Sequence, residues 1–269
     1  MQVAVIGGSG VAGSYAVEAL RRDGHTVREV SRRTGVDVYT GEGLQEALAD
    51  VDVVIDTLNT TSTRRAAVTD FFTTTARRVQ CAAEGGDVDH LVLLSILGID
   101  RVRGYGYYDA KLAQEAAATA GAVPVTVLRS AQFHEFPGQL LERLSLGPLA
   151  VVPHIQSQPV AARTVGEHLA RLALQRPGGI VELAGPEVHD VADLARRLAR
   201  ARRQRLCVVA ATAPGRAARD MRTGALLATD STTIDGPTYG DWLASADAHQ
   251  PPVAPSPVAS RTRHARSQP

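Results

Sequence analysis

The sequence is short of aromatic residues, cysteines and net charge. It holds one Trp, six Tyr and four Phe among 269 residues. Cys81 and Cys207 are its two cysteines, too few for a disulfide framework and without metal-ligand spacing. They read as buried or half-buried thiols of a reducing compartment, and no metal is expected. The formal net charge of +1 supplies no strong field to draw nucleic acid or a membrane surface. No apolar run reaches transmembrane length. The chain opens on a strand pattern rather than the basic flank and cleavage site of a signal peptide, so the expected location is cytoplasmic. No internal repeat is visible. The length suits one α/β domain with a small second lobe.

What is present starts at residue 3. Val3 to Ile6 is a β-branched apolar run, the pattern of a strand buried on both faces. Gly7-Gly8-Ser9-Gly10-Val11-Ala12-Gly13 follows at once, and then a helical pattern through Tyr15, Ala16, Ala19 and Leu20. Gly8, Gly10 and Gly13 fit G-x-G-x-x-G; Gly7, Gly10 and Gly13 fit G-x-x-G-x-x-G. Either spacing turns the chain tightly, lets the backbone approach a pyrophosphate and lets helix and strand pack closely. The helix start then offers its N–H groups to the phosphates. A strand before the glycines and a helix after them is the context such a motif requires.

Thr26 to Val30 reads as the second strand, and the residues at its tip bear on cofactor choice. An acidic residue there would suit the ribose 2′-hydroxyl of NAD. The chain has Ser31-Arg32-Arg33 instead, with Glu29 back inside the strand. A hydroxyl and guanidinium groups suit the 2′-phosphate of NADP through charge-assisted bonds. The cofactor set expected is Gly7, Gly8, Ser9, Gly10, Val11, Gly13, Ser31, Arg32, Arg33, Asp37, Thr57, Leu58, Asn59, Ser95, Lys111, Gln132 and Phe133, with NADP(H) preferred over NAD(H).

Further strands are expected at 36–38, 51–57, 90–95 and 123–129, with helices from 43 and over 63–83. This alternation implies βαβ units and a doubly wound parallel sheet of the Rossmann type. Ser95 stands at a strand's C-terminal end, the edge where such sheets bind ligands. Tyr107 and Lys111 are four apart and share a helix face. An ammonium beside a phenol favours the phenolate. Ser95, Tyr107 and Lys111 are therefore the catalytic candidates.

The chain resembles the short-chain dehydrogenase/reductase superfamily, and within it the NmrA-like atypical group. The residues that carry the likeness are the glycine turn, Ser31-Arg32, Val51-Asp52-Val53-Val54, Leu94-Ser95, Tyr107-Tyr108-Asp109-Ala110-Lys111-Leu112-Ala113-Gln114-Glu115 and Thr126 to Phe133. Gly185-Pro186-Glu187 and Asp241-Trp242-Leu243 extend it. The resemblance implies that Tyr107 moves the proton, Lys111 lowers its pKa and binds the nicotinamide ribose, and Ser95 polarises the substrate.

From Pro137 the alternation thins. The expected division is a cofactor-binding core over 1–130, a smaller α/β substrate lobe over 131–245 and a disordered tail over 246–269, rich in Pro, Ser, Ala and Arg. Phe133 and His134 leave the sheet edge and are candidates to line the substrate pocket, although a lone loop histidine is commonly a plain polar residue. Asp190 suits a helix N-cap. The arginines from Arg196 to Arg203 read as a solvated helix face, since no stacking aromatics accompany them. The segment 216–241 is expected to cover the cleft. The reading is an NADPH-dependent oxidoreductase acting on a small carbonyl or quinone-like acceptor. Its alternative is a non-catalytic NADP(H) sensor; a sugar-nucleotide epimerase suits the compact C-terminal lobe poorly. No nucleic acid or membrane partner is expected, and a homodimer is the candidate assembly.

Overall fold

The computed structural model describes residues 1–62 and 64–249. In chain order the first half holds β1 (Gln2–Ile6), α1 (Val11–Arg22), β2 (Thr26–Val30), α2 (Leu44–Leu48), β3 (Val53–Asp56) and α3 (Arg65–Gly85). It continues with β4 (His90–Ile96), α4 (Gly106–Thr119) and β5 (Val125–Ser130). The second half holds α5 (Phe136–Leu144), β6 (Ser145–Leu146), β7 (Leu149–Pro153), β8 (Gln156–Ser157), α6 (Ala162–Gln175) and β9 (Gly179–Ala184). After it come β10 (His189–Asp190), α7 (Val191–Ala201), β11 (Cys207–Ala211), α8 (Arg216–Arg222), β12 (Thr233–Ile234) and α9 (Tyr239–Ala244).

Seven strands form one parallel sheet in the order β12-β9-β5-β4-β3-β1-β2. Val3, Val5, Val53, Ile55, Val92 and Leu128 bury one face against α1 and α6. Ala4, Ile6, Val54, Leu91, Leu93 and Val127 bury the other with Val79, Ala83 and Ala118 from α3 and α4. Apolar residues on both pleats explain the unbroken hydrophobic runs of these strands. The chain steps from β1 outward to β2 and then returns to β3 on β1's other side. Order reverses there, which opens a crevice above the ends of β1 and β3.

Several expectations change. Residues 36–38 are not a strand. Val36 and Val38 plug the core, but the Asp37 carboxylate accepts the N–H groups of Tyr39 (2.8 Å) and Thr40 (3.2 Å) and closes a turn. The lobe is not contiguous over 131–245. Val165, Leu169 and Leu183 bury into the main core, so α6, β9 and β12 return to the central structure. The separate lobe comprises α5, α7, α9 and the three-stranded sheet β11-β7-β6 around Leu141, Val152, Leu194, Leu198, Tyr239 and Trp242. Asp190 caps α7 by accepting from the Ala192 N–H.

The arginines of α7 have local partners: Arg196 pairs with Asp193, Arg197 lies over the Tyr239 ring and Arg202 donates to the Ala248 carbonyl. Both cysteines are exposed, not buried, because each falls on an outward position of its element. The first residues of the expected tail are held in place. Asp247 takes a fork from Arg163 at 2.9 and 3.1 Å, and Ala248 is buried. The rest of that expectation, from residue 250, lies outside the described residues. No helix among the described residues is long and apolar enough to cross a membrane, and no metal-binding group occurs among them.

Candidate active site

The crevice is built by backbone first. Gly7 adopts φ +77°, open to glycine but strained for other residues. A Cβ on Gly13 would stand 2.3 Å from the Gly7 carbonyl oxygen and 2.8 Å from Thr57 Oγ1. No larger residue fits there unless the turn moves. The first turn of α1 starts at Gly10 with no side-chain cap, so its N–H groups stay available to an anion. A pyrophosphate is the group that such a cradle fits.

Beside it, Ser31 and Thr34 form a capping box across a short 3₁₀ turn over Arg32–Thr34. That turn fixes the backbone under the exposed Arg32 and Arg33 at the tip of β2. Glu29 is tied to Arg21 of α1 at 2.9 Å. Asp37, expected among the cofactor contacts, accepts two N–H groups of its own turn through Oδ1.

The loop after β3 joins this crevice to α4. Thr57 Oγ1 donates to the Ile6 carbonyl at 2.8 Å, and the Leu58 N–H donates to Asp56. Asn59 Oδ1 accepts the Thr60 N–H and the Tyr107 hydroxyl, each at 2.7 Å. The Thr60 N–H fixes which end of the amide is the acceptor, so Tyr107 must be the donor. Tyr107 is thus hydrogen-bonded to the loop after β3, two residues from Thr57.

The structure does not assemble the expected triad. Lys111 is only 4% exposed; its ammonium donates to the Leu94 carbonyl (2.8 Å) and Gln114 Oε1 (2.6 Å) and lies 4.9 Å from the Phe72 ring centre. It makes no hydrogen bond to Tyr107 among the described residues; both side chains pack on Phe72 instead. Burial pulls Lys111 down to about 8, against the upward pull of Asp56 and Glu115. Asp56, buried at the end of β3, is itself pushed up by burial. Tyr107 is pushed up to about 12, chiefly by burial and then by Tyr105. The expected lowering by Lys111 is therefore reversed, because the ammonium has other partners and the phenol is desolvated.

Ser95 also turns elsewhere. It is 3% exposed and donates to Glu115 Oε1. Glu115 takes a fork from Arg129 at 3.1 and 2.7 Å, and Arg129 reaches Asp100 at 3.0 Å. The sequence reading missed this network. Its signal was an Arg ending the apolar run of β5, and a Glu four residues beyond Lys111 on the same helix face.

Gln132 donates to the Tyr108 hydroxyl at 3.3 Å, and Phe133 packs on the main core. His134 is 1% exposed, against Tyr239 and Trp242, and its Nε2 meets the Pro237 carbonyl at 3.2 Å. Burial pulls it down to about 4. It is a core histidine of the lobe and does not line the pocket. From the covering segment, Ala217 and Met221 of α8 pack on the cluster that holds Tyr108, Ile99 and Leu226.

Residues 7–167 match the model of a family described as NAD(P)H-binding. The chain belongs to this NAD(P)H-binding family. No curated protein matches the sequence. Among solved structures, it is similar to the NADPH-dependent quinone oxidoreductase QOR2 of Escherichia coli, complexed with NADPH. The two share 17% identity and a TM-score of 0.65 over 90% of this chain and 98% of that one. A short-chain dehydrogenase/reductase superfamily protein of Agrobacterium tumefaciens with bound NAD shares 21% identity and a TM-score of 0.61, over 80% and 86% of the two chains. The UDP-glucose 4-epimerase of Thermus thermophilus, in complex with NAD, shares 18% identity and a TM-score of 0.63, over 80% and 87%. These likenesses show the Rossmann-type fold that the glycine turn and the alternating elements led one to expect.

Proposed function

We propose that the protein is an NmrA-like, NADPH-dependent reductase of a small carbonyl or quinone-like acceptor. The carrying observation is the loop after β3: Thr57 packs beneath the glycine turn and donates to the Ile6 carbonyl, and Asn59, two residues on, accepts the Tyr107 hydroxyl. It supports Tyr107 as the proton donor at the rim of the nucleotide crevice. Bound nicotinamide supplies the hydride.

This chain's residues do the rest. Gly7 to Gly13 and the start of α1 hold the pyrophosphate. Ser31, Arg32 and Arg33 hold the 2′-phosphate. Tyr107, kept neutral by burial, gives its proton to the acceptor oxygen as charge grows there. A neutral phenol suits reduction, where the acid must arrive protonated. The fold shared with an NADPH-dependent quinone oxidoreductase supports the acceptor class.

One observation favours a second reading, a dinucleotide-binding regulator without turnover. Ser95 and Lys111 are committed to Glu115, Leu94 and Gln114 rather than to Tyr107. The deciding experiment titrates purified protein with NADPH and with NADH, then follows loss of reduced-nicotinamide absorbance with a panel of aldehydes, ketones and quinones. Turnover with one class supports the reductase. NADPH binding without oxidation by any acceptor supports the regulator.

A further inference from the structure

Six of the chain's few aromatic residues gather in one cluster. Tyr39 stacks on Phe71, Phe71 meets Phe72, Phe72 meets Tyr107, and Tyr107 and Tyr108 both meet Tyr105. At the active-site end of this run Tyr105 differs from its neighbours. It is 43% exposed, while Tyr108 is buried and Tyr107 half-buried. Its hydroxyl makes no hydrogen bond among the described residues.

Its backbone, in contrast, is fixed. The Tyr105 carbonyl accepts the N–H groups of Tyr108 (2.9 Å) and Asp109 (3.0 Å), which makes it the N-cap of α4. Its ring meets Tyr108 edge to face, with centres 4.7 Å apart and planes at 79°. The helix start and Tyr108 thus hold a partly exposed ring within two residues of the proposed proton donor. The three rings lie together, with centres 4.7 Å apart for Tyr105 and Tyr108, 6.2 Å for Tyr107 and Tyr108 and 6.5 Å for Tyr105 and Tyr107.

We propose that Tyr105 selects planar aromatic acceptors, stacking its exposed ring on the acceptor while Tyr107 meets the acceptor's oxygen. The proposal rests on the reductase reading and names its substrate class. A ring already held in place loses little freedom on binding, which is the general route by which a fixed aromatic adds affinity. An aliphatic ketone of equal size can cover Tyr105 but has no π-face to offer it. Met221 and Ala217 of α8 supply an apolar wall on the neighbouring Tyr108 side.

The test compares wild type with Tyr105→Leu and Tyr105→Phe, using 1,4-naphthoquinone and 2-decalone as probes. Binding is read by equilibrium dialysis against protein saturated with NADP⁺, and turnover is read separately. Tyr105→Leu should weaken naphthoquinone binding and raise its KM by about three- to tenfold, the range an aromatic pair confers. It should leave decalone unchanged, and Tyr105→Phe should behave as wild type. Equal losses on both probes, no loss on either, or no naphthoquinone binding by wild type would overturn the proposal. The reductase reading fails on a different result: full turnover by Tyr107→Phe, or none by wild type while naphthoquinone still binds.

Discussion

Glu115→Ala removes the acceptor at the centre of the buried network. Arg129 and Glu115 are 8% and 7% exposed, and the carboxylate takes two bonds from the guanidinium and one from Ser95. Alanine leaves Arg129 with Asp100, whose side chain is half exposed, as its carboxylate among the described residues, and leaves the Ser95 hydroxyl without its acceptor. Breaking a buried pair from one side costs about 3–5 kcal/mol, because the remaining charge is stranded. In a domain of this size that corresponds to a fall in Tm of roughly 6–20 °C. Replacing both partners, Glu115→Leu with Arg129→Met, should recover most of the loss, since two charges no longer need burial. Calorimetry or urea unfolding of the two variants decides it. A Glu115→Ala loss under about 1 kcal/mol, or a double variant less stable than the single, would refute the reasoning.

Arg32→Ala should weaken NADPH by about 10- to 100-fold and NADH hardly at all, since only NADPH carries the extra phosphate; titrations with both cofactors check it. Gly13→Ala forces a Cβ against the Gly7 carbonyl, so it should cost about 1–3 kcal/mol of stability and at least about tenfold in NADPH affinity, read by calorimetry. Glu135 is pushed up to about 7 by burial, and its Oε2 makes no hydrogen bond among the described residues. With the folded value above the unfolded one, its contribution is complete below about pH 4.5 and is lost as pH rises through 7. Glu135→Gln should therefore flatten the decline in stability over that window, by roughly 1–3 kcal/mol, in unfolding curves taken across pH.

Local chemistry was legible in the sequence and long-range pairing was not. The glycine turn, its strand and its helix are consecutive, so spacing alone carries them. The alternation of elements likewise announced the parallel sheet. Ser95 and Tyr107 were found as residues, yet their partners lie 20 and 48 positions away. Nothing in the spacing says that Ser95 faces Glu115 or that the Tyr107 hydroxyl rests on Asn59. Lys111 sits four residues from Tyr107 as a helix pair should, but Phe72, contributed by α3, takes the face they would share. Val36-Asp37-Val38 has a strand's alternation, and the Asp37 carboxylate overrides it by bonding the backbone locally. His134 looked like a loop residue, and burial against Tyr239 and Trp242 depends on segments a hundred positions downstream.

The proposed reduction depends above all on the Tyr107 phenol donating the proton. Tyr107→Phe keeps the ring and its contact with Phe72 and removes only the hydroxyl. With an acceptor that wild type reduces, single-turnover oxidation of bound NADPH should slow by about 10²- to 10⁴-fold, while NADPH affinity and Tm stay near wild type. Oxidation at the wild-type rate by Tyr107→Phe would contradict that role.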